Sequence, residues 1–114
     1  MRYEAEYIIS ARIDVAEIRN NLSRYYPSTP KKFLKALKKN IEILRDNPLL
    51  YPVYEWNPAY RKMPVLDFVV FYKVFDEKRT VEIHRVLYGA RNVKAILDGT
   101  SDVSEDEELL EDNM

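Results

Sequence analysis

A chain of 114 residues, 46% apolar and 32% charged, has the size and balance of one soluble domain. It has no cysteine, which excludes disulfides and thiolate metal sites, and no apolar run near the ~18 residues of a membrane span. The net charge of −1 hides a division: residues 1–97 hold all 18 Lys and Arg against 11 Asp and Glu, a balance of +7, and residues 98–114 hold the other 8 acids and no base. The opening MRYEAEYIIS has no leader pattern, so a cytoplasmic protein without a membrane partner is expected. The basic part is expected to form the folded domain (1–97), and the acidic part (98–114) a disordered tail. The sign of the body suits RNA, DNA or an acidic protein segment. Many small domains carry as much charge with no such partner.

In chain order, RYEAEYII alternates Tyr3, Ala5, Tyr7 and Ile9 against more polar neighbours, a strand with one buried face. Ser10 stands where an N-cap would be. Ala11, Val15, Ile18, Leu22 and Tyr25 then recur at helical spacing, with Arg12, Glu17, Arg19 and Arg24 outside. YPSTP interrupts, and Thr29 with Pro30 starts a second helix on the stripe Phe33, Leu37, Ile41 and Leu44. Asn47 before Pro48 ends it. The short link predicts an antiparallel helix hairpin. Residues 48–59, PLLYPVYEWNPA, read as an ordered loop in which Leu49, Leu50, Tyr51, Val53 and Trp56 seek burial. YRKMPV follows as a short strand whose Pro64 suits an edge or an end. FVVFYKVF (68–75) is apolar on both faces and belongs in the centre of a sheet. DEKR turns the chain, TVEIHRVLY (80–88) returns as the last strand, and ARNVKAIL (90–97) reads as a short helix or coil. The expectation is an α+β fold in the order β-α-α-β-β-β: a small, mostly antiparallel sheet with a two-helix hairpin on one face and the other face partly open.

Two glycines cannot build a phosphate-binding glycine loop, one histidine without cysteine leaves no zinc set, and no serine elbow or paired carboxylate spacing is visible. No cofactor or metal is expected. What remains is cationic and aromatic. Lys31, Lys32, Lys35, Lys38 and Lys39 crowd the second helix, and Lys32, Lys35 and Lys39 share a face. That face is either simply solvated or a ridge that meets phosphate. Arg61 and Lys62 lie on one strand, His84 and Arg85 on the last, and Tyr88 and Arg91 at its exit. Arginine forks suit phosphate oxygens, and tyrosine can stack on a base or supply a proton. Metal-free RNA cleavage asks only for alignment, cations at the phosphorane and a proton carrier. Strict alternation sets Arg85 on the apolar row of Val81, Ile83 and Leu87, unless the strand bulges or the row is amphipathic.

Taken in order, several marks resemble the RelE/ParE superfamily of toxins from type II toxin–antitoxin pairs, over about residues 3–97. They are Ser10 followed by DVAEI, then Phe33, Leu37, Ile41, Leu44, Asn47 and Pro48, then YRKMPV, VVFYKV and the closing VEIHRVLYGAR. The resemblance implies a plasmid-stabilising toxin wrapped by a cognate antitoxin. RelE-like members cut mRNA on the ribosome; ParE-like members poison DNA gyrase. Ribosome-associated cleavage by a metal-independent endoribonuclease is the first expectation. Gyrase inhibition without catalysis, or antitoxin binding alone, are the alternatives. The resemblance carries Arg61, Arg85 and Arg91 over as phosphate contacts; with Tyr88 they form the expected catalytic set, and Lys35, Lys39, Lys62 and His84, read from the residues themselves, are the expected nucleic-acid contacts. Tyr88 stands where many relatives keep histidine, and NVKAIL lacks the tyrosine that some RelE-like enzymes carry there, which leaves proton transfer to Tyr88.

Overall fold

The computed structural model describes residues 2–25, 29–89 and 92–99. Arg91, the acidic tail beyond Gly99 and the side chain of Tyr25 lie outside the described residues. The element order is β1 (Glu4–Tyr7), α1 (Ile9–Tyr25), α2 (Thr29–Asp46), β2 (Val53–Tyr54), β3 (Asn57–Val65), β4 (Phe68–Phe75), β5 (Thr80–Tyr88) and α3 (Val93–Asp98). The strands form one sheet in the order β1-β5-β4-β3-β2. The doubly apolar FVVFYKVF is its middle strand, as its pattern requires, and β1 is the one parallel member, paired with β5 from Glu4↔Thr80 to Tyr7↔Ile83.

The helix pair covers one face. Every residue of the α2 stripe, Phe33, Leu37, Ile41 and Leu44, is buried, and Phe33 meets Phe68 of β4 with ring centroids 4.9 Å apart. Val15, Ile18 and Leu22 of α1 pack on the same cluster. A second, smaller cluster lies on the opposite face, where α3 sets Leu97, Val93 and Ile96 on Tyr54, Phe71 and Leu87. The far face is therefore covered at the α3 end. Arg45 ties the start of β1 to the end of α2, donating to the Tyr3 carbonyl at 2.8 Å and pairing with Glu42 at 3.1 Å. Its hydrogen bond, with that of Arg2, holds the Glu42 carboxyl below the usual carboxylate range.

Local departures from the sequence reading have local causes. Helix α1 starts at Ile9, and the Ile8 carbonyl takes the first hydrogen bonds from Ala11 (3.1 Å) and Arg12 (3.2 Å), so Ser10 lies inside the first turn and does not cap it. YRKMPV is part of a nine-residue strand, flanked by the two-residue β2 only at Val53↔Arg61 and Tyr54↔Asn57. Pro64 lies past that cover, on an open edge where a missing N–H costs no ladder bond. The loop is the largest correction. Leu49, Leu50, Val53 and Trp56 are 59, 55, 46 and 62% exposed; Tyr54 alone of this stretch is buried, and Tyr51 packs partly on the main cluster.

Candidate functional site

Strand β5 does not keep strict alternation. Phe71 of β4 faces Arg85 and the next residue, Tyr72, faces Ile83, so His84 is one residue too many on β5, a β-bulge. The bulge changes the phase of the strand. Val81, Ile83 and Val86 all reach the helix-side core, and Leu87 falls on the far-side cluster. It also resolves why an arginine sits on an apolar row. Arg85 reaches α1 and grips Asp14 with both arms of its fork, Nε to Oδ2 at 2.7 Å and Nη2 to Oδ1 at 2.8 Å. Asp14 Oδ2 also accepts the Val86 backbone N–H at 2.9 Å. Both side chains are largely withdrawn from water, Arg85 at 18% and Asp14 at 6%. Sequence reasoning missed Asp14, although its signal was present: an acid one turn from Ala11 and one turn from Ile18, on the inner stripe of α1.

The other singled-out residues fall on different faces. His84 is fully buried on the α3 side, with Nε2 3.1 Å from Glu82 Oε1 and its ring edge-on to Tyr60 at 5.4 Å. Tyr88 is half exposed on the helix side, its ring 6.0 Å from that of Phe68. It lines a cleft of about 350 Å³ between α1 and the end of the sheet, together with Asp14, Glu17, Asp67, Ile18 and Phe68. Three carboxylates thus line its cleft, one of them, Asp14, matched by Arg85. Arg61 donates to the Tyr51 carbonyl at 2.6 Å. Its rung partner on β4 is Tyr72, and that of Tyr88 is Phe68. Four residues of strand and two strand spacings put the Arg61 and Tyr88 backbones about 17 Å apart. Arg61 and Tyr88 are not brought together around one point, whereas Arg85 meets the Tyr88 cleft through Asp14, which lines it.

Lys62 lies on the far face, its ammonium 5.7 Å from the Tyr54 ring, in a cleft of about 350 Å³ shared with Phe71, Asn92, Val93 and Lys94. Lys94 pairs there with Asp98 at 3.8 Å. Lys35 and Lys39 are exposed on the outer surface of α2, beside Lys38, Glu42 and Ile43. The cations marked for nucleic acid therefore occupy two opposite sides, the helix layer and the far side of the sheet.

The structure resembles the RelBE2 toxin–antitoxin complex from Mycobacterium tuberculosis, with a TM-score of 0.61 and 21% identity over 80% of this chain and 95% of that one. It also resembles the chromosomal ParDE system of P. aeruginosa, with a TM-score of 0.65 and 14% identity over 76% of this chain and 96% of that one. A mutant of E. coli RelE in the free state gives 0.63 and 16%, over 84% and 93%. At these identities the likeness is one of fold. A comparison with curated protein sequences finds no match. The family assignment comes from sequence: residues 9–93 match the ParE toxin of the type II toxin–antitoxin system parDE, and the chain belongs to that family, within the RelE/ParE superfamily.

Proposed function

We propose that the protein arrests growth as the toxin of a type II pair, and that it does so by binding DNA gyrase without cutting RNA. The observation that carries this reading is the Arg85–Asp14 pair. Metal-free cleavage draws on cations poised at the phosphorane and a proton carrier beside them. Here the charge of Arg85 is matched by Asp14, the other two carboxylates of the Tyr88 cleft, Glu17 and Asp67, disfavour phosphate there, and the Arg61 backbone is about 17 Å from that of Tyr88. The match of residues 9–93 to the ParE toxin supports the same side. The partner in this reading is a cognate antitoxin, as in the RelBE2 and ParDE assemblies that the fold resembles, and the setting is the cytoplasm. Among the described residues, no helix is long and apolar enough to cross a membrane. Supercoiling by purified gyrase, measured against rising amounts of the protein, tests the proposal. Inhibition is expected; undiminished supercoiling at large excess would remove it.

One feature favours the second reading, ribosome-associated mRNA cleavage. The far-face cleft sets Lys62 beside the exposed Lys94, two cations that phosphate oxygens could meet, and Arg91 precedes its Asn92 in the chain. Cleavage of ribosome-bound mRNA by the purified protein would establish that reading in place of the first. A member that only binds an antitoxin would arrest no growth on induction.

A further inference from the structure

The outer surface of the helix hairpin holds a groove that the proposed function does not use. Its volume is about 560 Å³. Tyr7, Val15, Ala16, Leu34 and Leu37 form an apolar floor, and Arg12, Arg19 and Lys38 form the rim, with no carboxylate among the described lining residues. An apolar floor inside a purely cationic rim suits an acidic segment that carries a few large apolar side chains.

The chain supplies such a segment. Residues 100–114, TSDVSEDEELLEDNM, contain seven Asp and Glu, no Lys or Arg, and the adjacent pair Leu109–Leu110. We infer that this acidic tail docks into the groove between α1 and α2 of its own chain, with Leu109 and Leu110 on the apolar floor and the flanking acids against Arg12, Arg19 and Lys38.

Length permits it. The tail leaves from Gly99, just past α3 on the far face of the sheet. Leu109 and Leu110 are ten and eleven residues further on, a reach of about 35 Å when extended. The helix layer and sheet are together about 20 Å thick, which leaves about 15 Å of that reach for the path round the sheet edge. The far-face cleft by Lys62 is nearer, but it is smaller. Tethering replaces intrinsic affinity: at an effective concentration on the order of 1 mM, a tail of ~1 mM affinity is docked about half the time. A docked tail would hold the groove against any other acidic segment, making the toxin's own terminus a competitor for its partner. The inference does not depend on whether the target is gyrase or RNA.

The absence of cysteine provides a clean test on the full chain. Asn113→Cys introduces a single thiol for a nitroxide spin label, and amide signals are read by NMR. At low salt, signals from Val15, Ala16, Arg19 and Leu34 should lose intensity selectively. The loss should vanish when Leu109→Ser and Leu110→Ser are added, and should shrink at 1 M salt, where screening falls to about 3 Å. Loss centred on Lys62 and Lys94, loss spread evenly over the surface, or no loss would each overturn the proposal. A mixture of spin-labelled chains with isotope-labelled chains lacking the nitroxide separates docking in cis from docking on a second copy. Intensity loss at the groove in that mixture would overturn the intrachain assignment.

Discussion

Arg85 and Asp14 set how single residues in this protein should be tested. Removing one partner of a largely buried ion pair strands the other, at a cost of about 3–5 kcal/mol. Asp14→Ala and Arg85→Ala are each expected to lower the unfolding free energy in urea by about that much, and the double variant by clearly less than the sum. An additive double variant would show that the pair is not coupled. Loss of toxicity in Arg85→Ala therefore speaks to function only when the variant is shown to be folded. Two tyrosines add a pH dependence. Burial pushes the phenols of Tyr7 and Tyr72 up to about 12, and Tyr72 donates to the Pro48 carbonyl at 3.2 Å. Each folded value lies above the unfolded value of about 10, so their contribution is full below pH ~10 and is lost as pH rises towards 12. Tyr7→Phe, which cannot ionise, should shift the alkaline unfolding midpoint upward. An unchanged midpoint would contradict the assigned burial effect.

The elements differ in what they contribute. Helix α2 is held by its buried stripe. Phe33→Ala removes a fully buried ring packed on Phe68 and should cost about 3–5 kcal/mol. Ile13→Ala, on the exposed side of α1, should stay within about 0.5 kcal/mol in the same denaturant titration. The loop before β3 behaves in the opposite way to a core. Trp56 is the chain's one tryptophan and is 62% exposed, so its fluorescence should be that of a solvated indole and be quenched efficiently by acrylamide. A blue-shifted, protected emission would mean that the tryptophan is covered in solution.

Across the whole molecule the positive charge is split between two sides. Lys35 and Lys39 stand on the helix layer, and Lys62 and Lys94 on the far side of the sheet. Reversal of either pair to Glu should leave stability within about 1 kcal/mol. If one surface meets the target, only one of the two double reversals should abolish growth arrest on induction. Equal weakening by both would mean that overall charge, and not a surface, carries the effect.

Periodicity alone determined much of the architecture. The stripe Phe33, Leu37, Ile41 and Leu44, the two-sided apolar run 68–75 and the DEKR turn announced the helix, the central strand and the hairpin, because a repeat of 3.6 or 2 directly encodes which face is buried. Short-range pattern raised a bulge only as one of two ways to accommodate Arg85 and could not place it at His84, since the pairing with β4 that defines it is not written in β5 alone. It could not pair Arg85 with Asp14, 71 positions apart, because only the packing of α1 on β5 joins them. It overestimated burial in the loop at 48–59, where apolar composition was read as core although no layer covers Leu49, Leu50 or Trp56. Composition and spacing decided which elements form. The tertiary structure decided which cations remain available and which are matched, because charge neutralisation is a matter of distance in space and not along the chain.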